Sequence, residues 1–346
     1  MPNPTTAQAA LTLLEHATGV VIPVYFHPDT DFALGAALLR DTVHLFAREL
    51  ADPGAICLSV DDAGVSLAIG EQIATEYGTQ LVPAERNRGK LAAVRAGMQV
   101  LLANQALHYL AVVDADGDHF ANELLNFVRC AADVQQRMAT DRVMVLGSRL
   151  SRHRPLGFLR GEQEELANRI LMDALQYDAA HTGQPLILQF VGPPDDVLDA
   201  HSGYRLFSRT TAEKVFLSPP TLAGCSESAY YRHACEAVSL IEALQSGAIL
   251  ATVNRRTFDE QPISSFARLD RAQLAADMII WPCKRLNVPG SFVQQWLTNH
   301  LPRLLLGTLV PQGRAELLAI RNQVLAAFGL AVAVEKSADI ERLRFV

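Results

Sequence analysis

Tyr109 to His119 reads YLAVVDADGDH, an apolar run that ends in Asp114, Ala115 and Asp116 and continues into Gly117, Asp118 and His119. In extended chain, side chains two residues apart point the same way, so a strand here places the Asp114 and Asp116 carboxylates on one side. Two such groups repel unless a cation lies between them. A hard divalent ion, Mg²⁺ or Mn²⁺, takes oxygen ligands, keeps positions for water or phosphate, and can stabilise a departing nucleotide diphosphate. A solvated acidic turn after a strand is the plainer alternative for this motif taken alone.

Working outward, the first 150 residues alternate β-branched runs with helical periodicity. Strands are expected at Gly19–Tyr25, Ala55–Val60, Thr79–Val82, Tyr109–Val113 and Arg142–Leu146. Helices are expected near Leu34–Leu50, Val65–Tyr77, Lys90–Leu102 and Asn122–Met138. That alternation predicts an α/β fold with a Rossmann-like, mixed but mostly parallel sheet and crossover helices. The polar signals fall just after strands, where open α/β sheets bind ligands. Between Arg149 and Asp199 the pattern weakens to one helix around Gln163–Gln176 and a GPPDD loop at Gly192–Asp196. A strand over Gly203–Phe207, a helix over Tyr230–Gln245 and a strand over Ala248–Asn254 follow, and then helices over Ala267–Leu286, Ser291–Leu306 and Gly313–Phe328.

Two further clusters carry polar chemistry. The strand AICLSV ends in Asp61 and Asp62, which can accept hydrogen bonds from a base or ribose, or can cap the turn through Gly64 and Ser66. The segment ERNRGKLAAVRAG offers Arg86, Arg88 and Lys90 to a phosphate, with Gly89 permitting close backbone approach. It lacks the glycine spacing and following Ser or Thr of a P-loop, and no G-x-G-x-x-G occurs in the chain.

In order and spacing these motifs resemble the inverting family 2 glycosyltransferases of GT-A fold, over about Gly19–Phe266. The matched residues are Val21, Ile22, Pro23, Val24 and Tyr25, then Asp61 and Asp62, then Asn87, Arg88, Gly89, Lys90, Ala93 and Gly97, then Asp114, Ala115 and Asp116. Later come Ser202, Gly203, Tyr204 and Arg205, and a pair before a helix, Cys235 and Glu236, with Gly247 closing it. The resemblance implies that Pro23, Tyr25, Asp61, Asp62, Asn87, Lys90, Asp114 and Ala115 bind a nucleotide diphosphate sugar. It implies Asp116 and Asp114 as metal ligands, Ser202–Arg205 on the acceptor side, and Glu236 as general base. Among histidines, His201 ranks ahead of His233 and His119 as a further ligand, and Glu242 and Glu227 compete with Glu236. The chain departs from the family at Cys235, which replaces the first acid, and at Gln261, where Pro262, Ile263 and Ser264 follow in place of Gln-x-x-Arg-Trp.

These readings divide the chain into a catalytic domain over 1–266, with a nucleotide-sugar half at about 15–150 and an acceptor half at 151–266, and a helical extension over 267–346. The 30 basic and 37 acidic residues give a net charge of -7, which draws the protein to neither nucleic acid nor anionic lipid. Five scattered cysteines form no disulfide framework or thiolate zinc pattern. No apolar run reaches the roughly 18 residues of a membrane span, and MPNPTTAQ lacks signal-peptide regions. A cytoplasmic protein is expected. Arg303, Arg314 and Arg321 beside leucine-rich faces are compatible with grazing a membrane, with packing in a core, or with a homodimer seam. The acceptor, a hydroxyl or phosphate of a small molecule or polyprenyl phosphate, is left open. A sugar nucleotidyltransferase is disfavoured because Val24–Pro28 is not a glycine-rich loop; a scaffold whose catalytic machinery has decayed is motivated by Cys235.

Overall fold

The computed structural model describes residues 6–151, 153–192, 197–258 and 270–331. The expected loop at 193–196 and the Gln261–Ser264 departure lie outside them. Seven strands form one sheet: β1 (Thr18–Val24), β2 (Ile56–Val60), β3 (Gln80–Pro83), β4 (Tyr109–Val112), β5 (Val143–Arg149), β6 (Arg205–Ser208) and β7 (Ile249–Arg255). Their order is β3-β2-β1-β4-β6-β5-β7. β6 runs antiparallel to β4 and β5, and every other pairing is parallel. This is a mixed, mostly parallel α/β sandwich with a helical extension, as the alternation predicts.

The chain leaves β1 toward β2 and β3, then returns to place β4 on the opposite side of β1. That reversal is a topological switch point, and it opens a crevice beyond the carboxyl ends of β1 and β4, where Tyr25 and Asp114 stand. β1, β2 and β4 are buried along their whole length, which is why they read as continuous apolar runs without alternation.

Helices α1 (Ala7–Ala17), α2 (Phe32–Glu49), α3 (Val65–Tyr77), α4 (Lys90–Leu101) and α5 (Leu124–Met138) accompany the first half. α3 matches its expected span, and the left-handed Gly78 closes it. α1 was not expected, although Thr6 caps it by accepting the Ala9 amide and Ala10, Leu14 and Ala17 form its buried stripe. α6 (His153–Thr182) is longer than the expected Gln163–Gln176 helix and is broken at Gly157. α7 (Arg209–Ala212) and α8 (Cys235–Gln245) follow, the latter preceded by a π-helical turn over Ala229–His233.

The C-terminal helices are α9 (Arg271–Arg285), α10 (Gly290–His300), α11 (Leu306–Leu309) and α12 (Gly313–Ala327). α9 packs on α6, α8 and the π-helical turn, and α12 covers α9. Trp281 is fully buried and its indole donates to Thr221 O at 3.0 Å. One hydrophobic core therefore runs from the sheet into α9 and α12. On α12, Leu317, Ile320, Val324 and Leu325 are buried together with Arg321, so that part of the stripe is core. Among the described residues no helix is long and apolar enough to cross a membrane.

Candidate active site

A cavity of about 500 Å³ opens at the switch point. Pro23, Tyr25, Asp61, Asn87, Lys90, Asp114, Ala115 and Asp116 line one part of it; Arg160, Glu164, His201, Arg232, His233 and Glu236 line the rest, with Leu274 and Met278 from α9. The structure thus gathers most of the expected donor-side residues, together with Glu236 and His201, around a single space.

The two neighbouring aspartates after β2 have different roles. Asp61 is buried, and its carboxylate accepts the Arg88 amide at 2.9 Å and the Gly89 amide at 2.7 Å. Burial still pushes its carboxyl above the ordinary value. Asp61 thereby ties the loop before α4 to the sheet. Asp62 does not line the cavity; it accepts the amide of its neighbour Ala63 at 2.9 Å. Gly89 has φ +114, and a Cβ there would lie 2.7 Å from Tyr231 O, so only glycine fits this start of α4. Arg88 turns outward to Glu227 and stacks over Tyr231, and Arg86 is exposed, so of the three basic residues only Lys90 reaches the cavity.

Lys90 holds the centre. Its ammonium lies 2.6 Å from Asp114 Oδ1 and 2.9 Å from Glu236 Oε1. Burial would raise the Asp114 carboxyl, but Lys90 and then His119 override it and hold the group well below the usual range. Asp116 has no such cation: burial and the Asp114 charge push it up to about 6. The loop between them is fixed locally. The Asp118 amide donates to Asp116 Oδ1 at 3.2 Å, and the Asp114 amide donates to His119 Nδ1 at 2.9 Å. That bond leaves the proton of a neutral His119 on Nε2, and burial lowers its pKa well below the ordinary value. Asp118 pairs instead with Arg255 at 3.2 Å and accepts the Phe258 amide at 2.6 Å.

Asp114 and Asp116 suit a cation such as Mg²⁺, which keeps several waters and is held by one or two carboxylates plus substrate phosphates. Asp116 is the better placed, because Asp114 and not Asp116 forms the ion pair with Lys90. Among the described residues, no three His, Cys, Asp or Glu side chains gather closely enough to hold a metal ion, so His201 does not complete a set with Asp114 and Asp116. His201 is buried; its Nδ1 lies 2.7 Å from Asn168 Oδ1, and its Nε2 is buried without a hydrogen-bond partner. Burial pushes it down to about 4, against the opposing charges of Glu164 and Glu236.

The Ser202–Arg205 segment does not line the cavity as an acceptor surface; it forms the wall behind it. Ser202 Oγ accepts from Arg255 Nε at 3.2 Å. Tyr204 is fully buried, stacked between His119 and Phe127, with its hydroxyl donating to Phe120 O at 3.4 Å. Gly203 backs onto Asp114: a Cβ there would lie 2.7 Å from Asp114 Oδ2 and 3.2 Å from Lys90 Nζ. Arg205 is buried and donates to the carbonyls of Ala200, Ser202 and Glu236 and to Ser239 Oγ, which clamps the first turn of α8.

Glu236 stands in that first turn. Its Oε2 accepts the Cys235 thiol at 2.7 Å while Oε1 takes Lys90. Burial raises its carboxyl, but Lys90 and Arg205 override that and bring it down to about 2. The competing glutamates are used elsewhere: Glu242 pairs with Arg285 at 2.7 Å and Glu227 with Arg88 at 3.2 Å.

Sequence reasoning missed two buried networks at the cavity edge. Arg149 pairs with Asp199 at 2.6 Å and Glu164 at 2.7 Å, fixing the end of β5 to α6. His233 pairs with Asp277 of α9 at 2.6 Å. No spacing signal could have joined residues so far apart in the chain.

No family model and no curated protein matches this sequence. Solved structures resemble it distantly. A mycobacterial protein is 17% identical over 82% of this chain and 80% of that one, with a TM-score of 0.47. The S. aureus TarS 1–349 structure is 11% identical over 90% of each chain, with a TM-score of 0.37. The glycosyltransferase resemblance therefore rests on this chain's own motifs and sheet order.

Proposed function

We propose that this protein is a glycosyltransferase that moves a sugar from a nucleotide diphosphate sugar to an acceptor hydroxyl or phosphate, with inversion at the anomeric carbon. The observation that carries this reading is one cavity at the switch point that joins the Asp114 and Asp116 carboxylates to Glu236. Asp116 and Asp114 would hold Mn²⁺ or Mg²⁺, which when bound supplies positive charge for the leaving diphosphate. Pro23 and Tyr25 shape the nucleotide side, and Asp61 sets the loop that carries Asn87 and Lys90. Glu236 is the base that the family resemblance implies. In the donor-free protein its carboxylate is held by the Lys90 ammonium at 2.9 Å.

Thermal stability against UDP-, GDP-, dTDP- and ADP-sugars, with and without Mn²⁺, tests this reading. A ligand that binds only the native state raises the melting temperature by mass action. A metal-dependent rise with one nucleotide, followed by release of that nucleotide diphosphate, is expected. Absence of any rise and of any turnover favours a decayed, non-catalytic module.

A further inference from the structure

Both oxygens of the Glu236 carboxylate are engaged, one by the Lys90 ammonium at 2.9 Å and the other by the Cys235 thiol at 2.7 Å. A carboxylate stabilised in this way has little drive to take a proton from a hydroxyl. A second group on the same cavity has the opposite arrangement. His233 lines the cavity beside Glu236, Leu274 and Met278. Its Nδ1 lies 2.6 Å from Asp277 Oδ2, and Asp277 is itself buried and held through Oδ1 by Gln273 Nε2 at 2.9 Å. A proton shared with Asp277 on Nδ1 leaves the lone pair on Nε2. That nitrogen has no partner among the described residues.

A buried carboxylate aimed at an imidazole on the cavity wall is the arrangement that orients a histidine base. A buried charge requires a partner, and a histidine that alternates between neutral and cationic forms is stabilised in its cationic form by such a partner. Asp277 is supplied from outside the sheet, by α9, and His233 reaches the cavity from the π-helical turn Ala229–His233. Wide turns of this kind are frequent at functional sites.

We propose that His233 is the catalytic base that activates the acceptor, with Asp277 as its positioning residue; this rests on the glycosyl-transfer reading above. The acceptor O–H proton passes to His233 Nε2. The electron pair of that bond forms the new bond to the anomeric carbon as the anomeric C–O bond breaks, and that pair leaves with the diphosphate. The imidazolium is balanced by the Asp277 carboxylate. Glu236 then serves to hold Lys90 beside Asp114 and is not the group that takes the proton.

Water serves as a defined acceptor, so donor hydrolysis by the full chain with Mn²⁺ and UDP-glucose, GDP-mannose, dTDP-glucose or ADP-glucose tests the assignment through nucleotide release. His233→Ala is expected to lower kcat on the order of 10²–10⁴-fold with donor KM and melting temperature retained, and added imidazole is expected to restore part of the loss. His233→Gln, which fills the space without accepting a proton, is expected to be as impaired. Asp277→Asn gives a smaller loss, and Glu236→Gln a smaller loss than His233→Ala. Unchanged kcat in His233→Gln, or an inactive Glu236→Gln beside an active His233→Ala, overturns the assignment while leaving glycosyl transfer intact. No nucleotide release by the unaltered protein from any donor removes both.

Discussion

Lys90 and Glu236, 146 residues apart in the chain, are joined by an ion pair of 2.9 Å. The same ammonium sits 2.6 Å from Asp114 Oδ1, so one cation neutralises two carboxylates on the cavity, Asp114 and Glu236. Asp114 and Glu236 are electrostatically coupled through this single side chain, and its replacement is the most direct probe of that coupling.

Lys90→Met is expected to destabilise the protein at neutral pH by roughly 1–3 kcal/mol, less than a fully buried pair loses, because the Lys90 side chain keeps 30% of its exposure. The sign with pH follows from Glu236, whose carboxyl falls from an ordinary 4.5 to about 2. A depressed carboxyl contributes stability above its unfolded value and loses it as pH drops through the folded one. Melting temperatures from pH 7 to pH 2.5 should therefore converge for the two proteins in acid. A constant gap across that range would contradict the pairing.

Asp116→Asn is expected to raise the melting temperature at pH 7.5 while abolishing stabilisation by Mn²⁺ and donor. Here the folded carboxyl is raised from 3.8 to about 6, so the native state binds the extra proton and stability falls as pH rises between these values. The asparagine lacks that titration and should show a flatter profile. Lower stability of the variant at pH 7.5 would mean that Asp116 has a favourable partner.

Gly203→Ala places a methyl 2.7 Å from Asp114 Oδ2 and 3.2 Å from His119 Cε1. Overpacking of this kind typically costs about 1–3 kcal/mol. Calorimetric titration of the Mn²⁺–donor complex should show at least a tenfold weaker binding. Wild-type affinity would show that the Asp114 carboxylate can turn aside freely.

Asp199→Asn removes the charge that meets Arg149 at 2.6 Å in a fully buried setting. Breaking such a pair costs about 3–5 kcal/mol, because a buried guanidinium loses half its compensation. Denaturant unfolding should show that loss, and a change under about 1 kcal/mol would place water or relaxation in the network.

Periodicity made most of the fold legible. Val65–Tyr77 carries a helical repeat closed by Gly78, and Tyr109–Val112 is an apolar run with nothing polar to face solvent, so each element is specified by its own residues. The Asp114–Ala115–Asp116 motif is local in the same way, since two-residue spacing alone sets the direction of the carboxylates. The stripe Ala10, Leu14 and Ala17 of α1 was equally present in the sequence, with Thr6 as its cap.

What the sequence by itself determined is therefore the strand and helix succession, the acidic turn after β4 and the glycine at the start of α4, because these follow from backbone geometry and neighbours within one or two turns. Only the tertiary structure decided which of Asp61 and Asp62 faces inward, that Tyr204 is core and not acceptor surface, and that Lys90 meets Glu236. It alone brought His233 to Asp277, across 44 residues and from a helix expected only as an extension. Such contacts depend on how the sheet orders its strands and where α9 settles on the shared core. A buried charge finds its partner by packing in three dimensions, and sequence spacing does not encode that.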